Sequence, residues 1–542
     1  MRQWPLRAAG AVLLLANAWY LPWALTHLNL AAPWLSVPFA LASLWTALIT
    51  TVTTINHWQY RLPEERKVAP GEEPEVLVII PTCGESPRMV YETARSVLSQ
   101  DYPEDRITIV VSDDAHNERT WFLTWRLAQK HPQARIVYHE PPGKQDPSRR
   151  GEAKAGNLNS ALAWADEYLP GIPFVETRDA DDRVGDRGFL RQTVGQLLAD
   201  PGLAYVQTIK DAVVSAGDPF GNREPLFYRR AMPARNATNA VFPCGSGLVW
   251  RRAALADIGG FPTWNLVEDL QSGVEALRRG WRGLYLPMVG ALAQISPEDA
   301  ANAIKQRGTW ALDTMRLAIW GPKRGLTLRQ HLHFAEMGLF YLFSFPALIF
   351  AVVPAVSLAL EVYPLVADHT AYALHFWPYA AAVELLLASL GGGLPYEDVW
   401  RSRQIWLGMA PVYAGASLLA LAGGPRRKPR YRVTRKENRP RWYWRQALLQ
   451  TGLFLTLLGA SAYHLATHSL LLTADLGSLF WAGFFMLALS RSIRNSWHGV
   501  AMPRWATWWR RLVRSQRAGS PRAANLEVRP AHQVVPVEKE RR

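Results

Sequence analysis

The sequence has only two cysteines in 542 residues, Cys83 and Cys244, too few and too far apart for a disulfide framework. It also lacks the polar bias of a disordered chain, because 49% of its residues are apolar and 24 are tryptophan. The most informative absence is local: from Ala8 to Tyr60 there is no Asp, Glu, Lys or Arg. One bilayer crossing takes about 20 apolar residues, so this stretch holds two, over 8–29 and 35–56, with Pro33 near the turn. A cleaved signal peptide would account for Arg2, Arg7 and the first run, but not for a second run directly behind it. The mean hydropathy of −0.07 hides an alternation of apolar and charged blocks. Four further apolar runs follow, at 334–360, 372–390, 447–466 and 470–490, which gives six spans with the charged block 57–330 between the first two and the last four.

Positive charge orients the spans. The turns near 28–34, 358–371 and 466–475 contain no Lys or Arg, whereas the opposite flanks carry Arg2, Arg7, Arg61, Lys323, Arg324, Arg329, Arg401, Arg403 and the dense run 426–445. Both termini and the charged block are therefore expected in the cytoplasm, with the chain in the plasma (inner) membrane. The run 405–424 is long enough to cross, but crossing would export the basic run behind it. Residues 396–422 are accordingly expected along the cytoplasmic interface. Glu384 falls mid-span, where a carboxylate costs about 3 kcal/mol on insertion scales; it either lines a polar pathway or bonds to a neighbouring helix. The net charge of +15 clusters beside the spans and in the tail, which fits the anionic lipid of a bilayer and calls for no nucleic acid. The expected division is 1–60 (two spans), 61–325 (cytoplasmic domain), 326–395 (two spans), 396–445 (interfacial helix and loop), 446–490 (two spans) and 491–542 (a basic tail, surface-bound and then disordered).

Within the charged block, apolar runs that end in acidic residues recur at 76–81, 107–114, 134–140 and 173–181. Helix-compatible stretches near 87–100, 118–131, 153–168 and 187–199 separate them. That alternation predicts an α/β domain with a mostly parallel sheet, whose ligands collect beyond the carboxyl ends of the strands. Asp113, Asp114, Asp179 and Asp181 fall at those ends. On a strand end, Asp179-Ala180-Asp181 would point both carboxylates the same way, which suits a hard divalent cation that also holds a diphosphate.

Several motifs now align with a known family. Pro81-Thr82-Cys83-Gly84-Glu85, Asp113-Asp114-Ala115, Lys154-Ala155-Gly156-Asn157, Asp179-Ala180-Asp181, Pro243-Cys244-Gly245-Ser246-Gly247, Val267-Glu268-Asp269, Gln306-Arg307-Gly308-Thr309-Trp310 and Tyr431-Arg432-Val433-Thr434-Arg435-Lys436 occur in this order. Together they resemble the motifs of processive family 2 glycosyltransferases, in particular bacterial cellulose synthase catalytic subunits. The resemblance implies a GT-A-type, Rossmann-like domain inserted in an α-helical membrane domain, and inverting transfer from a UDP-sugar to a growing polysaccharide acceptor. It makes Asp269 the base, with Glu268 beside it, and assigns Asp179 and Asp181 to Mg²⁺ or Mn²⁺. Thr82, Glu85, Asp113, Asp114 and Lys154 would face the nucleotide, together with Asp179. Cys244 would lie beside the acceptor with Gln306, and Trp310 would stack on the acceptor sugar. Thr434 and Lys436 would close over the donor. The resemblance also allows a periplasmic or extracellular accessory subunit.

The departures are specific. Cys83 replaces an aromatic residue, Val267 replaces the threonine of Thr-Glu-Asp, and Thr309 replaces the arginine of Gln-x-x-Arg-Trp, leaving Arg307 or the basic run near the gate for the diphosphate. The stretch after Ser490 is too short for the cyclic-di-GMP-sensing PilZ domain of many bacterial cellulose synthases. UDP-glucose and a β-glucan are the expected donor and product; curdlan, mixed-linkage glucan and a hyaluronan-like polymer are the other products considered. Two further alternatives are a non-processive enzyme acting on a lipid acceptor and an inactive membrane scaffold or transporter. The retained Asp179, Asp181 and Asp269 speak against the last.

Overall fold

The computed structural model describes residues 3–428, 437–468 and 473–498. Thr434, Lys436 and the tail beyond residue 498 lie outside the described residues. The charged block folds around an eight-stranded sheet. Its strands are β1 Val76–Thr82, β2 Ile107–Asp113, β3 Arg135–His139, β4 Phe174–Thr177, β5 Asp182–Val184, β6 Leu203–Ala212, β7 Leu248–Arg251 and β8 Arg282–Ala293, in the order β3-β2-β1-β4-β7-β6-β8-β5. The four runs read from the sequence form β1 to β4, and these lie parallel to one another. The sheet as a whole is mixed rather than mostly parallel, because β7 runs antiparallel between β4 and β6, and β5 runs antiparallel to β8. Of the later strands, β6 carries Asp211 next to its end, but its run is interrupted by Gln207, Thr208 and Lys210.

Every residue of β1 and β2 is buried, as expected for strands covered on both faces. Alternation divides β1 between two cores. Leu77 and Ile79 pack toward Leu158 and Leu162 of the helix Ala153–Tyr168. Val76, Val78 and Ile80 pack toward Val90 of Pro87–Val97 and Val194 of Phe189–Ala199. This sandwich fixes the carboxyl ends of β1, β2 and β4 at one rim.

Asp179-Ala180-Asp181 is not on a strand end. β4 stops at Thr177, and the three residues form a turn into β5, closed by the Asp182 amide donating to the Asp179 carbonyl at 2.9 Å. Strand alternation therefore does not set their directions; the turn does.

Seven helices among the described residues are long and apolar enough to cross a bilayer. Trp4–Thr26 and Pro33–Asn56 precede the domain. Leu328–Leu360 (broken at Phe343), His369–Leu390, Tyr396–Gly423, Trp444–Thr467 and Ala474–Asn495 follow it. The one beyond the six expected is Tyr396–Gly423, whose Ile405, Met409, Tyr413 and Ala416 pack with Ala300, Ala303 and Ala311 of Ala300–Trp320, a helix of the charged block. The three turns without Lys or Arg meet at one end of the helices. Asn29 donates to the Pro364 carbonyl at 3.0 Å, Val366 donates to that of His27 at 2.8 Å, and His468 lies 2.8 Å from Glu361. Tyr363 donates its hydroxyl to Asp475 there as well. Glu384 is ion-paired with Arg403 of Tyr396–Gly423 at 2.6 Å, so its partner is on a neighbouring helix.

Candidate active site

A single cavity of about 1490 Å³ is lined by Thr82, Glu85, Asp114, Lys154, Asp179, Asp181, Cys244, Glu268, Asp269, Gln306, Arg307 and Trp310. Asp113 lies directly beneath its wall, fully buried. Separate loops and helix starts deliver these residues to one rim of the sheet.

The first loop follows β1. Thr82 donates its hydroxyl to Glu85 at 2.8 Å, and the Cys83 amide donates to the same carboxylate at 2.6 Å. The second loop follows β2. Asp113 accepts from the amides of Ala115 and Asn117, both at 2.9 Å, and from the Tyr138 hydroxyl at 3.0 Å. Asp114 is held by both terminal nitrogens of Arg149, at 2.7 and 2.9 Å, with both side chains almost wholly buried. Such a bidentate pair fixes orientation as well as charge. Arg149 was not singled out in the sequence, because it sits in a Pro-, Ser- and Arg-rich stretch that reads as a linker.

Lys154 stands in the first turn of Ala153–Tyr168. The helix is tied to the sheet by Asn157, which donates to the Ser112 carbonyl at 2.9 Å. Gly156 is required here: a Cβ at this position would lie 2.1 Å from the Gly151 carbonyl oxygen. The Lys154 ammonium reaches Asp179 at 2.6 Å, the Gly245 carbonyl at 3.0 Å and Glu268 at 3.3 Å. Burial disfavours this charge, but Asp179, Glu268 and Asp269 outweigh it and hold the lysine protonated. The other oxygen of Asp179 is taken by Lys210, at 2.5 Å, whose ammonium also lies 3.1 Å from the fully buried Asp182. Against the cost of burial, Lys154 and Lys210 hold the Asp179 carboxyl well below its usual range. Lys210 comes from β6, a strand with no sequence motif to announce it.

Glu268 and Asp269 open the helix Glu268–Arg278, where the macrodipole favours acids. Val267 cannot cap this helix with its side chain; instead its amide donates to Asp313 at 2.7 Å. Asp313 lies on the same helix as Trp310, so the acid pair and the tryptophan are fastened to one another. Burial and the neighbouring Glu268 push Asp269 up to about 7, although Lys154 pulls the other way. Gly245, with φ of +80°, is packed so closely that a Cβ would lie 2.9 Å from Asp269 Oδ2 and 3.1 Å from Lys154 Nζ. The Cys244 amide donates to Gln207 at 2.6 Å, and burial pushes its thiol up, so it behaves as a packed small side chain rather than a nucleophile.

Two residues of the Gln306–Trp310 motif make their bonds elsewhere. Arg307 faces Glu224 at 2.9 Å and donates to the carbonyls of Phe220 and Gly221 at 3.0 and 3.1 Å, so its guanidinium is committed away from Asp179. Thr309 donates back to the Lys305 carbonyl at 2.9 Å within its own helix. Trp310, 37% exposed, presents its ring to the cavity.

The cavity continues between the apolar helices, past Phe340, Phe376, Tyr379 and Trp481, to Tyr363, Pro364 and Leu365. These last residues follow the 17-residue helix Ser344–Leu360, about 26 Å from its start near the charged block.

Residues 74–312 match the family model described as Glycosyltransferase like family 2. The chain is 30% identical over 405 residues to a putative cellulose synthase 2 of Komagataeibacter xylinus, covering 71% of this chain and 25% of that protein. It is 29% identical over 363 residues to a cellulose synthase catalytic subunit (UDP-forming) of Pseudomonas fluorescens, covering 63% of this chain and 46% of that protein. The chain thus spans about a quarter of the length of the first of these relatives and under half of the second. A solved mannosyltransferase from Pyrobaculum calidifontis, in complex with GDP-Man and Mn2+, aligns with a TM-score of 0.50 at 22% identity, over 71% of this chain and 99% of that one, a likeness of fold. Residues 74–312 therefore form a glycosyltransferase family 2-like domain with a GT-A-like fold, joined to apolar helices, and the chain is similar to bacterial cellulose synthases over most of its length.

Proposed function

We propose that the protein is an inverting, processive glycosyltransferase that builds a cellulose-like β-glucan from UDP-glucose and passes it across the membrane. The observation that carries this reading is the single cavity running from Asp179 and Asp269 to Tyr363–Leu365 at the far ends of the apolar helices. A polymer made at one end has a path lined by aromatic faces to the other.

A sugar hydroxyl is a weak nucleophile, so a carboxylate must accept its proton as the new bond forms. Asp269 takes that part: it lines the cavity, and its raised pKa of about 7 makes it a stronger base than an ordinary aspartate. Lys154 steadies its charge while Glu268 and burial oppose it, and Trp310 offers a flat apolar face to the acceptor ring. Asp114, locked by Arg149, and Glu85, locked by Thr82 and Cys83, form a rigid wall for the nucleotide.

Asp179 and Asp181 suit Mg²⁺ or Mn²⁺. Both oxygens of Asp179 are occupied by ammonium groups here, so the turn collects cations, and carboxylate oxygens are the donors such hard ions require. When bound, the ion would stabilise charge on the departing diphosphate. The three turns without Lys or Arg, gathered at one end, support an outward face there and a cytoplasmic domain at the other. The packing of Tyr396–Gly423 along Ala300–Trp320 supports an interfacial rather than a crossing path for that helix.

The test is to incubate purified protein in detergent with several radiolabelled UDP-sugars and digest the product with linkage-specific glycanases. An insoluble product made from UDP-glucose and cleaved by a β-1,4-glucanase is expected. A product that extracts into organic solvent as a single-sugar lipid would overturn processivity.

A further inference from the structure

The expected cation for the diphosphate, Arg307, is turned toward Glu224, and Thr309 offers only a hydroxyl committed to its own helix. Of the described cations lining the cavity, Lys154 and Lys210 are the two within ion-pairing distance of Asp179. They are not equivalent. An ammonium has three N–H donors. Those of Lys154 are matched by three acceptors: Asp179, the Gly245 carbonyl and Glu268. Lys210 has two described partners, Asp179 and Asp182, and its side chain lines the cavity. One of its donors therefore remains for a ligand.

The backbone around Lys210 is shaped to bring it there. Pairing between β6 and β8 shifts register between Ile209 and Lys210, and such irregularities re-aim side chains next to active sites. The side chain is about a quarter exposed, whereas Asp182 below it is fully buried. An ammonium anchored on a buried carboxylate can release the more exposed Asp179 for an incoming anion and keep its second partner. A compact point charge on a flexible stem suits phosphate oxygens.

We propose that Lys210 is a diphosphate-binding residue: its ammonium exchanges Asp179 for the diphosphate of the donor while staying paired with Asp182. This inference rests on the UDP-sugar reading above. It gives the cleft a fixed positive charge for the diphosphate that does not depend on a divalent cation.

The experiment measures binding of UDP, inorganic pyrophosphate and uridine to the full-length protein, by calorimetry in excess EDTA and again in Mn²⁺. Lys210→Met is expected to weaken UDP and pyrophosphate binding in EDTA by about tenfold or more, with a smaller loss in Mn²⁺ and uridine binding unchanged. Lys210→Arg should restore most of the loss. Because Lys210→Met leaves Asp182 buried without its cation, the double variant Lys210→Met/Asp182→Asn supplies a second test in a protein freed of that burden; the same pattern is expected from it. Equal binding of UDP by wild type and the double variant in EDTA would overturn the role of Lys210, as would an equal loss for UDP and uridine. A wild type that binds uridine and UDP in neither buffer would instead sink the donor reading itself, and Lys210's part in it.

Discussion

Two acidic loops of the cleft hold their carboxylates in opposite ways. Beyond β2, Asp113 is gripped by two backbone amides and Tyr138, and Asp114 by the fork of Arg149. Beyond β4, Asp179 is held by two lysine side chains, and Asp269, at the start of the helix Glu268–Arg278, is steadied largely by Lys154, all on flexible stems. The first pair is fixed in place by the fold. The second is balanced by charges that a ligand can replace. The difference separates recognition of a constant part, such as a nucleoside, from chemistry on groups that arrive, change charge and depart.

The largest effect should come from the balanced side. Asp269→Asn is expected to lower sugar transfer by about 10³-fold or more, in the range of a lost general base, with UDP affinity within about twofold by calorimetry. Normal transfer in that variant would remove Asp269 from its role. In the wild type, Asp269 must be ionised to act. With its pKa near 7, kcat/KM should climb as pH rises through about 7 and level off above it. A profile flat from pH 5 to pH 9 would contradict this.

Gly245→Ala should come next, with about 10²-fold loss of turnover, because the new Cβ meets Asp269 and Lys154 and the backbone sits at positive φ. On the fixed side, Arg149→Met is expected to raise the KM for donor by about tenfold with a smaller change in kcat. A fall in kcat with KM unchanged would show that the Arg149–Asp114 pair belongs to the chemistry, and would erase the contrast between the loops. The smallest effect should be that of Tyr138→Phe, which removes one of three hydrogen bonds to Asp113. About 1 kcal/mol of stability should be lost in denaturant unfolding, with transfer close to normal.

Much of this contrast was open to sequence reasoning on one side only. Asp113, Asp114, Lys154, Asp179, Glu268 and Asp269 stand out because they fall in short motifs whose order follows a family. Their partners do not stand out. Arg149 lies in a loop with no periodicity, Lys210 on a strand outside the motifs, and Asp313 in the middle of a helix where a charged residue reads as solvated. The helix Tyr396–Gly423 is ambiguous for a related reason: composition gives its apolarity, but packing against Ala300–Trp320 decides what that surface faces.

Arg307 shows most plainly what packing adds. By motif it was a candidate for the diphosphate, yet Glu224, from a segment the motif does not include, pairs with it. In the same way, the turn at Asp179–Asp181 follows from β5 pairing with β8 at the opposite edge of the sheet.

The amino-acid order alone determined where the chain is apolar, where it is basic, and which acids follow the first apolar runs of the charged block, since these follow from composition and short-range periodicity. Only the tertiary structure decided which charge neutralises which, because ion pairs such as Lys210–Asp179 and Arg149–Asp114 join residues brought close by sheet register and helix packing. Electrostatic interaction depends on distance and burial, and neither is written along the chain.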